Sequence, residues 1–268
     1  MRALLAALAL AFCLATPPAW AGLRVVSLAP SLSEIMLDLQ AGDLLVGVLD
    51  GGERPEALRE LPSVGRYGHL EMERLLALKP DLILLWPSSV PAAQREQLAR
   101  FGIPTYVAEP HDLAQLAGQF AEIGERIGRA ARGRELAAQA TERLADMARR
   151  YRRDTPLRVF YQVWNRPLYT VGGRQIISDA LRLCGARNLF EDLDLPAPQV
   201  SLEAVLAREP QVIVAGSHAE LDLWQDWPQL EAVRLGHLLT VPDKGLERPS
   251  WQMLEATHRL CEALAPIR

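Results

Sequence analysis

What this chain lacks narrows its roles before anything it contains. It has no long run of lysine or arginine and a formal net charge of -4, so the electrostatic footprint of a nucleic-acid binder is missing. It has no phosphate-cradling G-x-x-x-x-G-K-[ST], no G-x-S-x-G nucleophile elbow and no H-E-x-x-H zinc pattern. Its three cysteines include no pair at zinc spacing. The five histidines, at positions 69, 111, 218, 237 and 258, are scattered singly. A site assembled from distant segments, such as His69, Glu109 and Glu247, would have no local spacing behind it. After the first residues, no segment is long and apolar enough to span a bilayer.

What is present suits a folded, exported protein. A length of 268 residues with 49% hydrophobic and 23% charged residues is ordinary for one large domain or two lobes. The opening "MRALLAALALAFCLATPPAWA" joins a basic Arg2, an apolar run and a small-x-small ending at Ala19-Trp20-Ala21. That pattern predicts a signal peptide over 1–21, cleaved after Ala21, and a periplasmic mature protein. The apolar core from Ala3 to Ala15 is shorter than the ~20 residues of a membrane span. A lipid anchor on Cys13 is disfavoured by the bulky Phe12 before it. Two cysteines then remain, Cys184 and Cys261, both on apolar helix faces. They are either inert core thiols or, in an oxidising compartment, a disulfide tying the last helix to the second half of the chain.

One stretch is written twice. "MERLLALKPDLILLW", from Met72 to Trp86, overlays "LEAVLAREPQVIVAG", from Leu202 to Gly216, without a gap. The two share Glu73 with Glu203, Leu76 with Leu206, Ala77 with Ala207, Pro80 with Pro210 and Ile83 with Ile213. The spacing is far longer than the ~20 to 50 residues of a solenoid repeat, so it suits two similar lobes. Around each copy, short apolar strands alternate with helices, which predicts parallel sheets covered on both faces. Before the first helix, "SLSE" sets Ser31 three residues ahead of Glu34, the spacing of a capping box. Between the halves, Leu136, Ala140, Leu144, Met147 and Tyr151 recur at steps of three or four, predicting one long helix over 133–153. The expected organisation is an N-terminal α/β lobe over 22–132, that helix, and a C-terminal α/β lobe over 154–268. The fold class is α/β, two Rossmann-like lobes joined by a single long helix.

In open α/β sheets, ligands bind outside the carboxyl ends of the strands. The loops there carry Tyr67, Trp86, Trp164, Tyr169 and the pair Glu247-Arg248, which suits a large, flat, partly apolar ligand. The plainer reading is that the aromatics only pack lobe edges.

"RVVSLAPSLSEIMLDLQAGDLLVGV", "MERLLALKPDLILLW", "QVSLEAVLAREPQVIV" and "LERPSWQMLEATHRLCEAL" together resemble the cobalamin-binding members of the helical-backbone substrate-binding proteins of ABC importers. The likeness covers nearly all of the mature chain in order and spacing; the glutamate-arginine before the last helix and the cysteine pair point to the cobalamin branch. It implies a non-enzymatic periplasmic receptor, a monomer that takes a corrinoid into the inter-lobe cleft and delivers it to a transmembrane permease, with no cofactor of its own and no metal site. It implies ligand contacts at Tyr67, Trp86, Tyr169, Glu247 and Arg248. It also implies permease docking through Glu73 and Glu203, where the helix dipole alone would favour a glutamate. A single helix between lobes implies little closure. The departures are Gly51 in place of a stacking tyrosine, and Lys244, Gly245 and Leu246 in place of an aspartate-tryptophan-phenylalanine run, with Trp164 and Trp251 as candidates to restore the aromatic surface. The rival readings are a haem or ferric-siderophore receptor of the same fold and an exported metal-dependent enzyme.

Overall fold

A computed structural model describes residues 22–52 and 54–267; the expected leader over 1–21, with its cleavage point and Cys13, lies outside the described residues. The first half runs β1 (Val25–Ser27), α1 (Pro30–Asp38), β2 (Leu45–Asp50), β3 (Ser63–Arg66), β4 (His69–Leu70), α2 (Met72–Ala77), β5 (Leu82–Leu85), α3 (Ala92–Arg100), β6 (Thr105–Val107) and α4 (Leu113–Arg126). Its sheet has the order β4-β3-β2-β1-β5-β6, parallel except for β4 against β3. A long helix, α5 (Ala130–Arg150), leads into the second half. That half runs β7 (Leu157–Asn165), β8 (Leu168–Thr170), α6 (Ile176–Leu183), β9 (Ala186–Asn188), α7 (Leu202–Ala207), β10 (Val212–Ala215), α8 (His218–Leu221), α9 (Glu231–Arg234), β11 (Leu238–Thr240) and α10 (Trp251–Leu264). There β11, β10 and β7 are parallel, β9 pairs parallel with the start of β7, and β8 returns antiparallel along its end.

The twice-written stretch folds twice the same way. Helices α2 and α7 each bury one residue, Leu75 and Val205, at matching positions. Each is stopped by a left-handed residue just past its end, Lys79 at φ 45° and Glu209 at φ 50°, followed by a buried proline that cannot continue a helix. The strands that follow, β5 and β10, are buried along their whole length, as strands covered on both faces must be.

The long helix buries Gly133, Leu136, Ala140, Leu144 and Met147 as a stripe. It starts ahead of the expected Gly133 because that glycine is an interior contact rather than a start. A Cβ there would stand 2.6 Å from the Phe120 carbonyl oxygen, and one on Gly124 would stand 2.9 Å from Gly133 Cα, so α4 and α5 touch backbone to backbone. The helix is not a free-standing spacer: it lies along α4 and α10, and Arg143 grips Glu255 on α10 with two bonds of 2.6 Å. Cys184 and Cys261 are bridged, stapling the end of α6 to the last turn of α10.

Candidate functional site

A cavity of about 440 Å³ opens where the first sheet's strands end and the chain returns before α10. Each central strand of that sheet contributes its carboxyl-end loop: Ala29, Pro30 and Ser31 after β1, Gly51 after β2, Tyr67 after β3 and Trp86 after β5. The facing wall is Lys244, Glu247, Arg248 and Pro249, from a turn of 3-10 helix (Lys244–Glu247) and its exit. Backbone and hydroxyl bonds hold the aromatic side in place. The Tyr67 N–H donates to the Asp50 carbonyl at 3.2 Å, and Ser89 Oγ lies 2.5 Å from the Leu28 carbonyl oxygen and 2.7 Å from that of Trp86, with one proton to donate between them. Tyr67 is 63% exposed on the rim, while Trp86 leans partly on the core. Gly51 is set by close approach, since a Cβ there would meet Pro30 Cγ at 2.6 Å.

The cavity brings together Tyr67, Trp86, Glu247 and Arg248. Trp164 and Tyr169 pair across the β7–β8 hairpin outside its lining; Trp164 is 56% exposed, and its indole N–H bonds the Arg166 carbonyl at 3.1 Å. Trp251 does not restore an aromatic wall either, because its ring packs edge-on against buried Phe120 at 5.9 Å. Glu73 and Glu203 stand exposed in the first turns of α2 and α7. The Glu203 carboxylate is held below its ordinary pKa by its own backbone N–H and the Ser201 hydroxyl. His69 lies in a separate recess with Asp50, Arg66 and Glu71, away from Glu247. Among the described residues, no three His, Cys, Asp or Glu side chains gather as metal ligands.

The sequence misplaced one functional group. Glu34 caps nothing: α1 begins at Pro30 with Ala29 as its uncapped entry residue. Instead Glu34, 5% exposed, accepts from Arg248 Nη1 at 2.6 Å and from Ser250 Oγ at 2.7 Å. It therefore fixes the arginine of the cleft wall from the first helix of the chain. The signal available was an acid in the midst of the apolar "IMLDL" face, which pays a desolvation cost unless it is paired. Asp38, one turn on, accepts from the Trp251 N–H at 3.4 Å. Asp179 of α6 accepts from the Leu113 N–H at 2.9 Å, at the start of α4.

Burial pushes the Asp38 carboxyl up from 3.8 to about 6; the Trp251 N–H opposes the rise, the Glu34 charge adds to it, and Arg132 opposes it. An acid that holds its proton more tightly in the folded state supports the fold at low pH and loses that support as pH rises through about 6. Asp38→Asn is expected to stabilise the protein at about pH 7.5 by roughly 1 to 2 kcal/mol, after discounting for partial exposure. It should also flatten the pH dependence between about 4 and 6. Urea unfolding across that range checks both effects.

The match to known proteins agrees with this geometry. Residues 25–258 match the model of the periplasmic binding protein family. The chain belongs to that family. Among its relatives in this family, a vitamin B12-binding protein of Yersinia pseudotuberculosis is 35% identical over 98% of this chain and 93% of its own. The periplasmic vitamin B12 binding protein of Vibrio cholerae superposes with a TM-score of 0.82 at 32% identity, covering 90% of this chain and 96% of the other. A periplasmic haem binding protein of Vibrio cholerae shares the fold, with a TM-score of 0.78 at 20% identity over 91% of this chain and 99% of its own. This family member, like those relatives, is a binding protein of two α/β lobes. Among its described residues, no helix is long and apolar enough to cross a membrane.

Proposed function

We propose that this protein is a periplasmic receptor that captures cobalamin or a related corrinoid in the cleft and delivers it to the permease of an ABC importer. The observation that carries the reading is the cavity itself, with aromatic Tyr67 and Trp86 on one side and charged Glu247 and Arg248 on the other, in a chain 35% identical to a vitamin B12-binding protein. Aromatic faces suit the flat corrin ring, and the charged groups suit its rim of carboxamides. The corrinoid is cargo rather than cofactor, and the receptor acts as a monomer without catalysis. Export by the 1–21 leader puts it in the periplasm. The lobes are taken as 22–132 and 154–268, and Glu73 and Glu203 as the acids that meet the permease.

Calorimetric titration with cyanocobalamin and with dicyanocobinamide tests the cargo. Binding with a Kd below about 1 μM is expected. Trp86→Ala should weaken it by about 10-fold or more through lost ring contact. No heat with either corrinoid removes the reading. The second cargo, haem or a ferric siderophore, is favoured by one observation, the exposed phenol of Tyr67 at the rim. A Soret band on adding haemin that disappears in Tyr67→Phe would favour it.

A further inference from the structure

The formal charges of the cavity lining are Lys244, Glu247 and Arg248. Arg248 is already committed to buried Glu34 at 2.6 Å. Asp243, beside Lys244, is turned away: one oxygen accepts from the Gly245 N–H at 2.8 Å and the other pairs with Arg259 at 2.9 Å. Among the described residues, no carboxylate forms an ion pair with Lys244, and no cation forms one with Glu247. Besides the remaining donors of Arg248, the cleft thus offers its occupant one ammonium and one carboxylate free of ion pairs, three residues apart on a 3-10 turn, where side chains at that spacing share a face. The ammonium is also a rare choice here. Lys79 and Lys244 are the chain's lysines, every other basic side chain apart from histidine being arginine. A lysine is a compact charge on a flexible stem, suited to a tetrahedral anion whose position varies, where arginine suits a fixed bidentate one.

We infer that Lys244 is a specificity residue that recognises the phosphodiester of nucleotide-bearing corrinoids, so that the cleft prefers complete corrinoids to those that end before the nucleotide. The inference rests on the corrinoid reading above and adds a choice among corrinoids. Both kinds carry the carboxamide donors that Glu247 can accept from, but only the complete kind carries an anion in its nucleotide loop. Glu247 therefore serves the class, and Lys244 separates its members.

The test compares the full mature protein with Lys244→Met and Lys244→Arg, each titrated with cyanocobalamin and dicyanocobinamide at low and high salt. Lys244→Met is expected to weaken cyanocobalamin binding by about 10-fold and dicyanocobinamide binding by less than about threefold. Lys244→Arg should recover most of the lost cyanocobalamin affinity. The selective loss should shrink at high salt, because an exposed charge pair is screened. Equal losses for both ligands, or no loss for either, overturn the assignment while leaving the corrinoid reading standing. If the parent protein binds neither corrinoid, that reading fails and this inference fails with it.

Discussion

Import is expected to stop when Glu73 and Glu203 are both changed to alanine, while cargo affinity stays within about twofold of the parent. The two carboxylates occupy the same place in two copies of one motif, the first turn of a six-residue helix that feeds a wholly buried strand. A short helix pinned by a buried side chain and stopped by a left-handed residue gives its first turn a fixed direction. Two such acids on two lobes match a permease built with two-fold symmetry, and carboxylate-arginine pairs can be bidentate. Losing a desolvated charged pair at an interface costs about 2 to 5 kcal/mol, so losing two should lower docking affinity by about 1,000-fold or more. If the glutamates served only the helix dipole, each substitution would cost about 0.3 to 1 kcal/mol of stability and leave import intact. Uptake of labelled cyanocobalamin by cells carrying each single variant and the double variant, beside calorimetry on the purified proteins, separates the two cases. A fall in affinity with transport preserved would show the acids serving the cleft instead.

The second large effect concerns the disulfide. Cys184 and Cys261 are fully buried and close a loop with a sequence separation of 77. In the chain-entropy account, a loop of that size removes about 4 kcal/mol of freedom from the unfolded state. Changing both cysteines to alanine is expected to lower stability by about that amount and the melting temperature by roughly 10 °C. The loss should be felt beyond the bridge, because α10 carries the cleft wall at one end and packs on α5, α6 and α1. A melting curve of the parent with and without reductant, with alkylation of unreduced protein as control, checks it. Two alkylated thiols and an unchanged melting point would mean that the mature protein does without the bridge.

Local periodicity made most of the regular elements readable in the sequence. The stripe of the long helix was one such pattern, and Leu136, Ala140, Leu144 and Met147 are buried along it. The three-residue strands β8 and β9 left no trace, since three residues are too few to establish a period of two. The Ser31 and Glu34 spacing matched a capping box by coincidence; what Glu34 does is decided by Arg248 and Ser250, more than two hundred positions away. No local pattern encodes that meeting. Trp251 misled for a related reason: an aromatic next to cleft residues in sequence is as easily core as wall, and Phe120 claims it from another helix. The charged residues of the cleft were visible one by one, but which of them are free and which are committed depends on partners distant in sequence, as Glu34 is from Arg248.

The bonds from Arg248 to Glu34 and from the Leu113 N–H to Asp179 tie the two halves of the chain at separate points, one at α1 and one at the start of α4. A receptor tied this way meets its cargo with the walls already facing each other, so little ordering free energy is deducted from binding. The same stiffness makes the protein a reluctant donor. Parting the halves would break these bonds together with those of Ser250 to Glu34 and of the Trp251 N–H to Asp38. In the proposed import role, release would then fall to the permease, and these cross-links would set how much work it has to do.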